Sequence, residues 1–184
     1  MNKVKKGEYG YIEFKRKSQL VITMIFFILI AVILYTGYGI FNNNKNILTV
    51  FAAVLAIPTA KYAVTYIILI PRKSITRDEY DKLETIYGIN KSFDYVVTSQ
   101  DKIFCVPCLA VKDNSMYLYM NTEKVKEKYV VDYLNTMVGK EFKINTIKVF
   151  KDYSVFFNEV RKLSGNMPGK NDEKIIEELK NISV

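Results

Sequence analysis

Two apolar runs, at residues 20–41 and 47–70, stand almost back to back near the start of the chain. As helices they would be about 33 and 36 Å long, enough to cross a bilayer core of about 30 Å. The first run contains no charged residue, so it would place no ion in hydrocarbon. The sequence therefore predicts a transmembrane hairpin of two helices, and not a cleaved signal peptide, whose apolar stretch is shorter.

The cations lie on both sides of the hairpin, and almost none lie in its tip. Short loops rich in Lys and Arg tend to stay in the cytoplasm. The tip at residues 42–46 carries one lysine, whereas residues 1–17 form a basic juxtamembrane segment with a net charge of +4. We therefore expect a multi-pass protein with both termini cytoplasmic. The basic residues favour a lipid bilayer as partner, and no nucleic acid is expected.

Lys61 interrupts the second apolar run, and no acidic residue between Glu13 and Asp78 could pair with it. One interpretation is an intramembrane site for an anion, a proton or an acidic partner helix. The other is that Lys61 snorkels to the inner headgroups, with Tyr62 and Tyr66 in an aromatic belt. The predicted membrane-interface residues are Lys61, Tyr62, Tyr66, Lys15, Arg16, Lys17, Arg72 and Lys73.

Small residues recur at four-residue spacing on the second helix, at Ala52, Ala56 and Ala60. Such a stripe lets another backbone approach closely. We expect the first helix to pack there, although the same pattern permits a homo-oligomer.

The chain contains no histidine, and histidine is both the commonest general base and the commonest transition-metal ligand. It contains two cysteines. Cys105 and Cys108 have the C-x-x-C spacing of redox and zinc sites, but zinc would need two further ligands. The strand pattern around them predicts two buried free thiols that point to different faces of a sheet. We expect no metal and no cofactor.

The remaining residues, 72–184, are enough for a single core of ordinary size. Thr76 and Glu79 predict a capping box that opens a helix. Three strand-like runs follow, and short turns between them favour an antiparallel meander. Thereafter the sequence predicts a long helix from Thr122 to Gly139, a strand and two further helices. The predicted elements are strands at residues 93–99, 102–112, 115–121 and 143–150, and helices starting at Asp152 and Asp172.

This order predicts a membrane hairpin followed by an α+β cytoplasmic domain (helix, three-strand meander, helix, strand, two helices). Its order of elements resembles that of the restriction-endonuclease-like nucleases. The resemblance implies a metal-dependent site in which Asp94 holds the ion and Lys112 steadies the attacking water or the phosphate. Ala110 stands where that family has a second acidic residue. A structural interpretation is that Asp94 is a strand-edge carboxylate and Lys112 a solvated turn residue.

The segments at residues 56–61 and 94–99 resemble those of small, uncharacterised bacterial inner-membrane proteins in which a two-helix hairpin precedes a cytoplasmic domain. The resemblance implies a location in the cell inner membrane. The function we expect is a non-catalytic, membrane-anchored module that binds a protein or small ligand near the inner leaflet. The alternative is a diverged, membrane-tethered nuclease that uses Asp94 and Lys112.

Overall fold

The computed structural model describes residues 4–41, 46–121, 125–165 and 169–184, and they form two compact units. Met1–Ile12 and Lys73–Val184 make up one unit, named here the α+β unit. Glu13–Arg72 make up the other, named the helical unit. The basic segment predicted at residues 1–17 is therefore shared between the two units, because its first part packs with the α+β unit.

The helical unit contains all of α1 (Tyr11–Phe41) except its first two residues, together with α2 (Ile47–Leu69). Asn46 caps α2 by accepting a hydrogen bond from the Thr49 amide at 3.0 Å, so this helix begins where the sequence predicted. Helix α1 starts nine residues before the predicted residue 20. The apolar run covers only the most hydrophobic part of the helix. The good helix formers that precede the run belong to the same helix.

The two helices pack along a seam that differs from the predicted alanine stripe. Ala52 and Thr59 of α2 are buried, as are Gln19 and Thr23 of α1, whereas Ala56 and Ala60 are exposed. Buried and half-buried positions on α2 alternate three and four residues apart, which is the spacing that two helices crossing at a shallow angle require. The prediction of a contact through Ala56 and Ala60 was therefore wrong.

Both helices are long and apolar enough to span a membrane. Only 11% of each apolar window is buried, unlike the core helix of a soluble protein. Large apolar side chains such as Ile28 and Ile57 are 62% and 74% exposed. Exposed apolar side chains in such number are typical of a surface that contacts a membrane or another protein.

The α+β unit contains a four-stranded sheet within the described residues, in the order β1-β2-β3-β4. Strands β1, β2 and β3 form the predicted antiparallel meander, and β4 lies parallel to β3. The strands are β1 (Asn90–Thr98), β2 (Ile103–Lys112), β3 (Ser115–Tyr119) and β4 (Thr146–Phe150). The helices are α3 (Arg77–Glu84), α4 (Glu127–Leu134), α5 (Lys140–Phe142), α6 (Tyr153–Lys162) and α7 (Asp172–Ile182).

Helices cover both faces of this sheet, each over its own apolar cluster. One cluster joins Leu109, Val111 and Leu118 of the sheet to residues of α4 and α7. The other joins Phe93 and Ala110 to residues of α3 and α6. The α+β unit is therefore a three-layer arrangement with a buried sheet, and the predicted α+β order of helices and strands is confirmed.

Side chains of β1 and β2 change face at one cross-strand position. Phe93 lies in the cluster under α3 and α6, but Tyr95, two residues later, lies in the opposite cluster. Between them Asp94 has a φ of +61°, which reverses the normal alternation. In β2 the change occurs at Pro107, which has no amide to donate to the ladder. Strict two-residue alternation could not predict this switch.

The long helix predicted from Thr122 to Gly139 is interrupted. Helix α4 ends at Leu134, and a π-helical turn, Asn135–Gly139, follows it before α5. Lys143 closes this region in the left-handed conformation, with a φ of +47°. Strand β4 therefore begins at Thr146, three residues later than predicted. The predicted cap Thr122 and the loop residues 166–168 lie outside the described residues, as do residues 42–45 of the hairpin tip.

Candidate functional site

An open cavity of about 460 Å³ lies at one end of the sheet, between the β1–β2 turn and the helical layer of α4. We name it the hairpin cavity. It is lined by Thr98, Ser99, Gln100, Asp101, Tyr129, Asp132, Tyr133, Thr136 and Met137. All of these residues belong to the α+β unit. The volume falls in the range of small-molecule sites, about 300–1,000 Å³.

The strand side of the hairpin cavity is held by a tight turn. The amide and the hydroxyl of Ser99 both donate to the carbonyl oxygen of Lys102, at 2.9 and 3.1 Å. Ser99 Oγ also shares a short hydrogen bond with the hydroxyl of Tyr129. The turn is thus fixed to α4, and the ring of Tyr129 has a defined position in the wall.

The helical side presents a second aromatic ring and the π-helical turn. The Tyr133 ring packs edge-on against Phe104 of the core, with 5.7 Å between ring centroids. One turn later Thr136 and Met137 belong to the π-helical segment, and the Met137 side chain is 45% exposed. Such turns in α-helices are frequent at functional sites. Here the turn directs a flexible thioether toward the cavity.

The charged groups of the hairpin cavity are the exposed carboxylates of Asp101 and Asp132. Burial, together with the neighbouring Tyr129, raises the pKa of the Tyr133 phenol above its ordinary value, so this hydroxyl stays neutral at physiological pH. Lys102 lies beside the wall, with Nζ 5.0 Å from the centroid of the Tyr129 ring. Rings, hydroxyls and carboxylates are the groups that bind and orient a ligand.

A second cavity of similar size offers weaker chemistry. A cavity of about 520 Å³ lies where α3 and α6 end and includes Tyr87 and Arg161. Helix carboxyl ends carry partial negative charge, which disfavours the anion that Arg161 would attract. We therefore take the hairpin cavity as the candidate site.

Asp94, proposed from the sequence as a metal-holding residue, lies in the interior. Its side chain is 1% exposed, so the strand-edge interpretation does not describe it. Oδ2 accepts hydrogen bonds from Ser74 Oγ at 2.7 Å and from the Ile12 amide, in the first turn of α1, at 3.3 Å. Burial raises the pKa of Asp94 to about 6, although these hydrogen bonds offset part of the effect. Asp94 thus joins residues that are far apart in the sequence.

Lys112, the other proposed catalytic residue, is not beside Asp94. In the register of β1 and β2, Asp94 stands opposite Pro107, five residues along the strand from Lys112, or about 17 Å. Lys112 is 5% exposed, and its Nζ donates to the carbonyl oxygen of Gly88 at 2.7 Å. Lys112 is therefore a buried lysine with a structural role. The prediction that it is a solvated turn residue was wrong. Asp94 and Lys112 do not form a shared site.

Both cysteines are free and buried. Burial raises the pKa of the Cys108 thiol well above its ordinary value, and the charge of Asp94 adds to this effect. A thiol of this kind is a poor nucleophile. Because the side chains change face at Pro107, Cys105 and Cys108 lie on the same side of the sheet and not on different faces as expected.

Within the described residues, no group of three or more His, Cys, Asp or Glu is placed to hold a metal.

Two of the predicted membrane-interface residues meet at the carboxyl end of α2. Arg16 Nη1 donates to the Ile70 carbonyl oxygen at 3.4 Å, and Arg72 donates to that of Ile68. Cations at this end of a helix complement its dipole. Lys15 and Lys17 lie near the start of α1, and Lys73 follows α2 in the α+β unit.

The remaining predicted interface residues lie on α2. Lys61 and Tyr66 belong to this helix, and Lys61 is exposed. Tyr62 packs against Phe26 of α1, with 5.6 Å between ring centroids. Phe26 is fifteen residues from Phe41, so the contact between Phe26 and Tyr62, beside Lys61, lies about 22 Å from the carboxyl end of α1.

Sequence reasoning did not identify the hairpin cavity. Tyr129, Tyr133 and Met137 have the helical spacing of an apolar core stripe, and Asp101 stands in the turn between two predicted strands. One signal was available, because Asp132 stands between the two tyrosines of that stripe.

No protein-family model, curated protein or solved structure matches this chain.

Proposed function

We propose that this protein is a non-catalytic, membrane-anchored binding module. In this proposal α1 and α2 cross the bacterial inner membrane as a hairpin, with both termini in the cytoplasm. The α+β unit is then held near the inner leaflet, where its hairpin cavity binds a small ligand or a side chain of a partner protein.

The hairpin cavity is the observation that carries the binding part of the proposal. It combines two aromatic rings with polar groups in an open space of about 460 Å³, a composition typical of ligand sites. The hydrogen bond between Ser99 and Tyr129 holds its two walls together, so the site is formed before any ligand arrives. A preformed site loses less conformational entropy on binding.

The exposed apolar surface of α1 and α2 supports the anchoring part. Arg16 and Arg72 lie together at one end of the helix pair, as expected for the cytoplasmic end of a hairpin. Lys61 is exposed and lies outside the seam between the two helices. We therefore favour an anchor in which Lys61 snorkels to the inner headgroups, with water and lipid phosphate as its partners.

A fragment screen tests the binding function. The full chain, isotope-labelled and held in uncharged detergent micelles, is titrated with a set of neutral, anionic and cationic aromatic fragments of about ten heavy atoms. We expect the backbone NMR shifts to cluster at the β1–β2 turn, at α4 and at the π-helical turn. Tyr129→Leu should abolish these shifts, whereas Tyr87→Leu, a matched change at an exposed tyrosine in another cavity, should leave them intact. Shifts that cluster elsewhere, or no shifts with any fragment, would contradict the proposal.

A further inference from the structure

The charge of the hairpin cavity is opposite to that of the chain. The protein carries a formal net charge of +8, yet the ionisable groups that line the cavity are two carboxylates and two phenols. Asp101 comes from the β1–β2 turn and Asp132 from α4, so two separate elements direct negative charge to one space. A cavity of this kind attracts a cation and repels an anion.

The aromatic wall provides a second, independent preference for a cation. Lys102 Nζ lies 5.0 Å from the centroid of the Tyr129 ring, within the distance of about 6 Å at which a ring face attracts a positive charge. The protein's own ammonium thus already shows that this ring face accepts a cation. Tyr133 adds a second ring, and the elevated pKa of its phenol keeps that ring uncharged.

We propose that the hairpin cavity binds an organic cation, through the carboxylates of Asp101 and Asp132 and the ring of Tyr129, and that Lys102 competes with this ligand. This inference rests on the proposed binding function and names its ligand class. The cationic group is an amine or quaternary ammonium, carried either by a small molecule or by a lysine side chain of a peptide. A bulky cation fits because the cavity also offers an apolar surface, including Met137, to the substituents of the ligand.

A charge series on one aromatic scaffold tests the proposal. The full chain in uncharged detergent is titrated with benzyltrimethylammonium, benzyl alcohol and benzoate, with the NMR shifts of the cavity residues as readout. We expect the cation to bind at least about tenfold more tightly than the alcohol, and benzoate not to bind. The affinity for the cation should fall as salt rises, because part of the attraction is between exposed charges.

Charge variants identify the groups responsible. Asp132→Asn and Asp101→Asn should each weaken binding of the cation by about three- to fivefold, and weaken binding of the alcohol much less. Lys102→Gln should strengthen cation binding severalfold, because it frees the Tyr129 ring and removes a like charge. Glu177→Gln, which removes an exposed carboxylate from α7, is the control and should have no effect. Lys102 is exposed, so its variant folds even if an aspartate variant does not.

Two peptides distinguish the sources of the cation. An acetyl-Gly-Lys-Gly-amide peptide is compared with the same peptide acetylated at the lysine Nζ. Binding of the first peptide alone would assign the site to a protein partner, whereas binding of benzyltrimethylammonium without either peptide would assign it to a small molecule.

Equal affinity for the cation and the alcohol, or a Lys102→Gln variant with unchanged or weaker cation binding, would overturn the inference. The proposed function would stand in that case if neutral fragments still bound at the cavity. If neither this series nor the fragment set bound there, both proposals would fall.

Discussion

Asp172→Ala should lower the free energy of unfolding of the α+β unit by about 4 kcal/mol. The Asp172 side chain is fully buried, and its carboxylate accepts hydrogen bonds from three backbone amides. The Gly169 amide donates to Oδ2 at 2.7 Å, and the amides of Asp113 and Asn114 donate at 3.2 and 3.1 Å. Alanine leaves these three donors without an acceptor, and each orphaned buried donor costs about 1–3 kcal/mol.

Urea unfolding of the full chain in micelles, with hydrogen exchange of the sheet amides as the probe, measures this loss. Asp172→Asn keeps one acceptor oxygen and should lose about half as much. Asp152→Ala is the matched control, because Asp152 caps α6 through a single bond to the Val155 amide at 3.1 Å. Loss of one exposed cap costs about 1 kcal/mol. A loss for Asp172→Ala no larger than that of Asp152→Ala would show that the carboxylate does not hold the β2–β3 turn to α7.

Asp94→Asn should stabilise the protein at pH 7 and change how its stability depends on pH. The pKa of Asp94 is raised to about 6 in the folded chain from an ordinary value of 3.8. Between these two values the folded state binds more protons than the unfolded state, so this group makes stability fall as pH rises from about 4 to about 6. Two pKa units correspond to about 3 kcal/mol, which the neutral asparagine should recover at pH 7.

The measurement is the difference in unfolding free energy between Asp94→Asn and the parent chain at pH 4, 5, 6 and 7. We expect this difference to grow by about 2 kcal/mol across the series, because part of the full effect is already present at pH 4. Asparagine also tolerates the φ of +61° and can still accept from Ser74. Alanine at this position tolerates the positive φ poorly and accepts no hydrogen bond from Ser74. Asp94→Ala should therefore be less stable than Asp94→Asn at every pH. A difference that stays constant from pH 4 to pH 7 would contradict the raised pKa.

Local signals in the sequence predicted much of the fold. The capping box at Thr76 and the helix start at Asp152 each depend on residues within three positions of one another, and the structure confirms both. The β2–β3 turn was also predictable, because Asp113 and Asn114 both tolerate the positive φ that a two-residue hairpin turn needs.

Features that depend on distant residues were not predictable. Asp94 binds the Ile12 amide, 82 positions away, and this contact is part of the environment that supports its unusual φ and the change of face in β1. The Phe93 amide donates to the Gly7 carbonyl oxygen at 2.9 Å, so residues before α1 cover the edge of the sheet. The sequence predicted those residues only as part of a basic juxtamembrane segment, because nothing local showed that they pair with β1.

The candidate site was missed for a related reason. Tyr129 and Tyr133 have the helical spacing of core residues and are half-buried, so periodicity could not show that they also border an open space. The β1–β2 turn that forms the opposite wall lies about 30 residues earlier. The π-helical turn has no sequence pattern that would have predicted it.

Protease protection in membrane vesicles tests the central claim most directly, namely that residues 13–72 anchor the α+β unit at the cytoplasmic face. The full chain, with an epitope tag after Val184, is expressed in bacteria. We expect it to stay in the membrane fraction after an alkaline wash, and the tag to be lost when protease is added to inverted vesicles but kept in right-side-out spheroplasts. Release of the protein by the alkaline wash, or loss of the tag in spheroplasts alone, would contradict the account.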